Sequence, residues 1–199
     1  MSSRDKYRSE IFILLKLFEH GLKTFHLKKP NFSKKKYNEY IKQIPKKYHK
    51  RIIIHHYFSL CFKYKLKGFH HNSKNPPGKY FKLFSAILLP NLYQTISAHS
   101  HQQFSTFSKG SYKYILTGPL YPRRKNRINN KFKNIDHFNN VHNKEKIIFY
   151  GGIEQYHINE LMKFKPNGIL IMRTIWYNDA QPLDIFLSIK KELTKKHPQ

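Results

Sequence analysis

The sequence predicts an α/β fold, a TIM-type (β/α)8 barrel that lacks its first strand. Two observations carry that expectation. Short apolar runs, several rich in β-branched residues, alternate with stretches of helical periodicity, the pattern of right-handed βαβ units and a parallel sheet. In addition, four of five chemically distinctive segments close or directly follow such a run: His26-Leu27-Lys28-Lys29-Pro30, Gly68-Phe69-His70-His71, Ser97-Ala98-His99-Ser100, Gly118-Pro119-Leu120-Tyr121-Pro122 and Gly151-Gly152-Ile153. In a barrel, the strand ends and the loops after them carry the chemistry. A chain of 199 residues is long enough for one domain with a proper core and short for two, so residues 1–199 read as a single domain.

The elements follow in order. Tyr7 to His20 places Ile11, Leu14, Leu15 and Phe18 on one helical face, and Gly21 stops it. Lys23 to Leu27 reads as a short strand. Ser33 is placed to cap a helix running to Gln43, before Pro45. Arg51-Ile52-Ile53-Ile54 is a buried, parallel-type strand. Tyr57 to Lys65 reads as helix and Lys67 to His70 as a very short strand. Asn75-Pro76-Pro77-Gly78 is a turn, followed by an apolar helix or loop to Leu89. Strands follow over Asn91 to Ser97 and Tyr112 to Thr117, with a helix from Ser100 to Ser108 between them. Arg123 to Asn143 is polar, with a weak helix at most. Lys146 to Tyr150 and Gly168 to Met172 are the last two strands. Glu154 to Phe164 is helical between them, and Pro182 to Lys195 closes the chain as an amphipathic helix. That makes seven strands. Either a first strand lies upstream of Met1, or the barrel has a gap with two exposed sheet edges.

The composition narrows the class. A hydrophobic content of 39% with 16% aromatics suits a folded globule. Ile11 to Phe18 is broken by Lys16, so no run reaches membrane-spanning length, and the N-terminus shows no secretory h-region. With one cysteine, Cys61, an intramolecular disulfide is excluded; the residue reads as packing, and the expected compartment is cytoplasmic. The net charge is +27, and between positions 40 and 135 there are 19 basic residues and no Asp or Glu. An electropositive surface attracts phosphates or nucleic acid. However, the 31 Lys against 7 Arg are spread along the whole chain, among abundant Asn, Ile, Phe and Tyr. Nucleic-acid modules concentrate charge and favour Arg for base contacts, so coding bias is the preferred explanation and nucleic acid is expected only through non-specific attraction.

The chemistry is expected at the strand ends. Gly151 and Gly152 let the backbone approach a ligand at a helix start, and barrels commonly bind phosphate after their last two strands, which adds Met172 and Arg173. The alternative is a tight strand-to-helix turn. Gly118 ends another strand, and Arg123, Arg124 and Lys125 after it offer cations to a phosphate. His99 stands at a strand end, where an imidazole titrating near neutrality suits proton transfer. His26, His55-His56, His70-His71 and His99 follow successive strands, which invites a transition-metal hypothesis. Adjacent strand residues point to opposite sides, so one of each pair faces the mouth. The spacing matches no recognised zinc motif, and no metal ligand is assigned.

Taken in this order, the five segments resemble the thiamine phosphate synthase and TenI-like family over about Ile11 to Ile185. The resemblance implies a thiazole phosphate held near Gly151-Gly152 and the end of the last strand. It also implies that the magnesium-dependent synthases need two aspartates, which align here with His55-His56 and near Asn75. Their Gln-Leu-Arg-x-Lys pattern aligns with His26, Lys28 and Pro30. Mg²⁺ prefers oxygen ligands, so it enters as a cofactor only if the synthase reading holds. The TenI-like branch lacks those aspartates and tautomerises a thiazole carboxylate phosphate. Its acid/base histidine lies in a motif similar to Ser97-Ala98-His99-Ser100, which gives His99 that role, with His26, also at the barrel mouth, as a second catalytic candidate. On the same resemblance Lys28, Ser97, Gly118, Arg123, Lys125, Gly151, Gly152, Met172 and Arg173 are the substrate and phosphate contacts. The expected partner is a small phosphorylated thiazole, with no membrane; the oligomeric state stays open, a homo-oligomer included. Two further classes remain: a barrel that has lost catalysis and only binds, and a charge-driven nucleic-acid binder whose affinity would fall steeply with salt.

Overall fold

The computed structural model describes residues 1–3, 9–77, 91–121, 135–177 and 180–194. The expected turn end at Gly78, the apolar stretch to Leu89, and Arg123, Arg124 and Lys125 lie outside the described residues. The chain packs as two compact units, Met1–Thr95 and Ile96–Gln199.

The first unit begins with α1 (Glu10–Glu19), β1 (Phe25–Leu27), α2 (Lys34–Lys42), β2 (Ile52–Ile54), α3 (Ser59–Lys63) and β3 (Gly68–His71); β4 (Tyr93–Ala98) begins in it. Ser33 caps α2 as expected, its hydroxyl accepting the Lys36 N–H at 3.3 Å. Arg51 holds the end of α1, donating to the Phe18 and Leu22 carbonyls at 2.8 and 3.3 Å. The α3 helix is shorter than its sequence pattern, because Tyr57 and Lys65 on either side adopt φ of 55° and 50°. β1 pairs in parallel with β2, setting His26 against Ile53; β2 pairs with β3, setting Ile53 against Gly68 and Ile54 against Phe69.

This register divides the side chains between two faces. Phe25, Leu27, Ile52, Ile54, Phe69 and His71 share the face covered by helices: Phe18 of α1 meets Phe25 edge-on, and Phe58 stacks on Phe69 at 4.7 Å. Their near-complete burial is worth about 1.5–3 kcal/mol for each large side chain. His26, Ile53, His55, Gly68 and His70 share the opposite face. Gly68 is required there, because a Cβ would collide with the Tyr93 carbonyl.

The second unit continues β4 and adds α4 (His101–Ser108), β5 (Tyr114–Thr117), β6 (Ile147–Tyr150), α5 (Ile158–Met162), β7 (Gly168–Leu170), α6 (Arg173–Trp176) and α7 (Pro182–Thr194). The strands are parallel, with Leu116 opposite Ile148 and Phe149 opposite Ile169. The strand order follows the chain, β1 to β7, so all seven expected strands are present. In β6, Ile147 and Phe149 are buried while Ile148 and Tyr150 are half-buried on the other face. Phe149 packs against Phe138, and Phe138 against Phe104 of α4.

One expected boundary is corrected. The last strand stops at Leu170 instead of Met172, so Met172 and Arg173 are not at its end. They begin α6, where the Met172 carbonyl accepts the Trp176 N–H at 3.1 Å and Thr174 donates its hydroxyl to the Ile153 carbonyl at 2.7 Å. That buried hydroxyl bond ties the start of α6 to the chain after β6. No helix among the described residues is long and apolar enough to cross a membrane.

Candidate functional site

The candidate residues form one group within each unit. In the second unit, β4 ends at Ala98 and leaves His99 exposed in the turn before α4. Ser100 and Gln103 hold that turn: Ser100 Oγ accepts the Gln103 N–H at 3.2 Å, and Gln103 Oε1 accepts the His99 N–H at 2.8 Å. The imidazole Nδ1 of His99 lies 3.1 Å from the Gly118 carbonyl oxygen and 3.0 Å from Tyr150 Oη. A carbonyl only accepts, so Nδ1 carries the proton in this pair and the lone pair of the neutral ring resides on Nε2. Tyr150 shares a hydrogen bond with Ser97, and burial pushes its phenol well above the usual range, which keeps it protonated.

The loops after β5 and β6 are tied together by their backbones. Leu120 N–H donates to the Tyr150 carbonyl at 3.0 Å, and Tyr121 N–H donates to the Gly151 carbonyl at 2.9 Å. Gly118-Pro119 is a cis peptide. Gly151 and Gly152 have φ of 95° and 72°, and a Cβ on Gly152 would meet the Tyr121 carbonyl. Both glycines are therefore demanded by the turn itself. Beyond them Glu154 caps the following 3₁₀ turn, its carboxylate taking the His157 N–H while its own N–H donates to His157 Nδ1 at 3.0 Å. A carboxylate thus already holds one of the N–H groups offered there to an anion. Arg173 is exposed with its guanidinium over the Tyr177 ring, and Met172 is half-buried. An open depression of 450 Å³ lined by Ser111, Lys113, Glu145 and Asn167 lies at the N-terminal ends of β5 and β6, opposite the strand ends that carry His99.

In the first unit, His26, His55 and His70 come together. One ring nitrogen from each lies within 4.8 Å of the others. His26 Nδ1 is 3.0 Å from His55 Nε2, and the His55 and His70 rings stack at 4.3 Å. Burial, then the charge of His70, holds both His26 and His55 well below the usual imidazole range. Their neighbours point away, as strand alternation requires: His71 bonds Gln94 Oε1 at 3.0 Å and packs on Phe58, while exposed His56 lies against Tyr37. Lys28 is exposed just beyond β1, and its backbone N–H meets Ser2 Oγ at 2.9 Å.

Sequence reasoning did not single out Tyr150, Thr95, Lys29 or Glu10. Tyr150 was signalled by its place as the last strand residue before two glycines. Lys29 and Glu10 form a buried ion pair that neither local pattern reveals. Cys61 is buried, and burial pushes its thiol up to about 12, which suits packing and not nucleophilic chemistry.

A sequence model of the thiamine monophosphate synthase family, TMP-TENI, matches residues 1–175. No curated protein sequence matches the chain. Among solved structures, the thiamine phosphate pyrophosphorylase of Bacteroides thetaiotaomicron aligns with a TM-score of 0.79 and 22% identity, over 98% of this chain and 96% of that one. The thiamine phosphate pyrophosphorylase of Pyrococcus furiosus follows at 0.75 and 14%, over 94% and 90%. The 3-hexulose-6-phosphate synthase of Salmonella typhimurium aligns at 0.70 and 13%, over 94% of each. These likenesses establish an α/β fold of the TIM-barrel type.

The Mg²⁺ that the resemblance implies does not fit the residues present. At the aligned positions stand His55, His56 and exposed Asn75, and the chain has no carboxylate from 40 to 135. Mg²⁺ takes hard oxygen ligands, usually with a carboxylate, whereas this donor set is chiefly imidazole nitrogen.

Proposed function

We propose that this chain, which belongs to the thiamine monophosphate synthase family, binds a thiazole phosphate and tautomerises a thiazole carboxylate phosphate with His99 as acid/base. The observation that supports this reading is the setting of His99: exposed, with Nδ1 tied to the Gly118 carbonyl and Tyr150, and the lone pair presented by Nε2. Tautomerisation moves one proton from carbon to carbon and changes neither composition nor net charge. One base that takes the proton and returns it is sufficient, and no metal is required. Ser97 and Tyr150 orient the imidazole, while Gly118, Gly151 and Gly152 let the backbone close around the ligand. Arg173, exposed after β7, supplies positive charge to the phosphate.

A second reading, the joining of a pyrimidine diphosphate to a thiazole phosphate, is supported by the description of the matching family and of the two pyrophosphorylases. The test is NMR-monitored conversion of the thiazole carboxylate phosphate without magnesium, comparing wild type with His99→Ala. Conversion is expected in wild type and a loss of about 10²–10⁴-fold in the variant, the usual contribution of a general acid/base. A folded wild-type protein that leaves the tautomer unchanged overturns the reading. Formation of thiamine phosphate from the two synthase substrates would then favour the second reading, and tight binding without either reaction would favour a barrel that only binds.

A further inference from the structure

We propose that His26, His55 and His70 form a three-nitrogen site for a divalent transition ion of the Zn²⁺ or Co²⁺ class at the C-terminal ends of β1, β2 and β3. The inference goes beyond the reaction assigned to His99 and does not depend on it. Its basis is the sheet register. His26 stands opposite Ile53, His55 lies two residues beyond Ile53, and His70 lies two beyond Gly68, itself opposite Ile53. The pleat therefore turns all three side chains to the face away from the helices.

The spacing suits a metal. Two imidazole nitrogens on one tetrahedral Zn²⁺, at about 2.0–2.1 Å each, stand about 3.3 Å apart. The His26–His55 pair is already at 3.0 Å, and all three donors lie within 4.8 Å. His26 is already tilted 64° and 73° to the other two rings, and closing the set requires the stacked His55 and His70 rings to rotate until their lone pairs converge. His70 is oriented from behind. Thr95 Oγ1 donates towards the Phe69 carbonyl at 3.5 Å and lies 2.8 Å from His70 Nδ1, so Nδ1–H donates to Thr95 and Nε2 carries the lone pair. Such an outer hydrogen bond fixes the tautomer that a metal ligand needs. Three imidazoles prefer transition ions to Mg²⁺, and they leave a fourth position for water or a substrate oxygen. Lys28, exposed just beyond β1, adds positive charge at the same strand ends, which favours an anionic oxygen in that position.

The experiment uses untagged, metal-stripped full-length protein titrated with Co²⁺ alone, read by visible absorption, with Zn²⁺ as competitor. The expected result is one equivalent of Co²⁺ with the intense bands of tetrahedral coordination, displaced by Zn²⁺. His55→Ala and His70→Ala are expected to weaken binding by about 100-fold or more, since loss of an outer partner alone costs 10–100-fold. His20→Ala and His142→Ala, at exposed histidines, are expected to leave binding unchanged. Circular dichroism confirms folding of each variant, and His55→Gln replaces any that fails, His55 being only half-buried. Weak bands of octahedral type, or equal affinity in wild type and the His55 variants, would overturn the site and leave a hydrogen-bonded imidazole cluster.

Discussion

Replacing Glu10 by Ala should destabilise the chain far more than an ordinary charge removal at a helix start. Glu10 is 3% exposed and Lys29 1%. The carboxylate takes the Lys29 ammonium and the Ser3 N–H, the latter at 2.9 Å, while Lys29 Nζ also reaches Ser3 Oγ at 2.9 Å. Without the carboxylate a buried ammonium loses its counter-charge, a loss that costs about 3–5 kcal/mol against a typical total stability of about 5–15 kcal/mol. The rings of Phe32 and Tyr40, at 5.7 and 5.9 Å from Nζ, recover only part of it. Removing both charges together, as Glu10→Leu with Lys29→Met, should cost little, because no buried charge is left alone. The assay is urea unfolding followed by circular dichroism on the two single variants and the double. The reasoning is refuted if Glu10→Ala costs less than about 1 kcal/mol, or if the double variant is as unstable as the single. A functional consequence follows, because this pair holds the segment whose Ser2 N–H donates to the His26 carbonyl at 2.9 Å.

Acid should weaken the metal-free protein through the same region. Burial keeps His26 and His55 neutral when folded, whereas unfolded imidazoles titrate near 6.5, so the unfolded chain binds protons that the folded chain refuses. Stability is expected to be flat above the unfolded value and to fall below it by up to about 2.7 kcal/mol per pH unit for the two groups together. A urea midpoint unchanged between about pH 7.5 and about pH 5.5 would contradict this. Gly152→Ala should cost about 2 kcal/mol or more, from the left-handed φ of 72° and the collision with the Tyr121 carbonyl. Gly110→Ala, outside the positive-φ region, should cost much less; equal midpoints for the two variants would show that the braided loops yield easily.

The strands were legible because buried parallel strands are written as apolar, β-branched runs. Ile52-Ile53-Ile54 and Ile115-Leu116 each coincide with a strand of the sheet. The cap at Ser33 was legible too, since a hydroxyl three residues ahead of an N–H acts locally. The meeting of His26, His55 and His70 was not. Alternation says that one member of each His pair faces inward, but which members share a face depends on the register between strands, and that is set by the whole sheet. The early end of β7 was hidden for a similar reason: Gly168 to Met172 is uniformly apolar, and nothing local marks Leu170 as the last strand residue. The turn at Gly151 and Gly152 was visible as one of two readings, and their positive φ and collisions with the neighbouring loop show why the turn needs glycine, alongside any approach to a ligand.

On the proposed reading, the chemistry at the strand ends rests on imidazoles, and the two histidine settings divide it by solvent access. His99 is exposed, bonded through one nitrogen, and held by a carbonyl that cannot donate, so its other nitrogen can exchange protons with ligand and water. His26 cannot serve in the same way: it is buried, its Nδ1 faces another imidazole, and protonation would place a cation among His70, Lys67 and Lys28. A divalent ion on neutral nitrogens brings positive charge to that same place, but it also binds an anionic oxygen at its fourth position, which a proton on imidazole does not. The two settings therefore make separable demands. Removal of His99 should abolish proton transfer while Co²⁺ binding persists, and removal of His55 should do the reverse if His99 alone carries the proton.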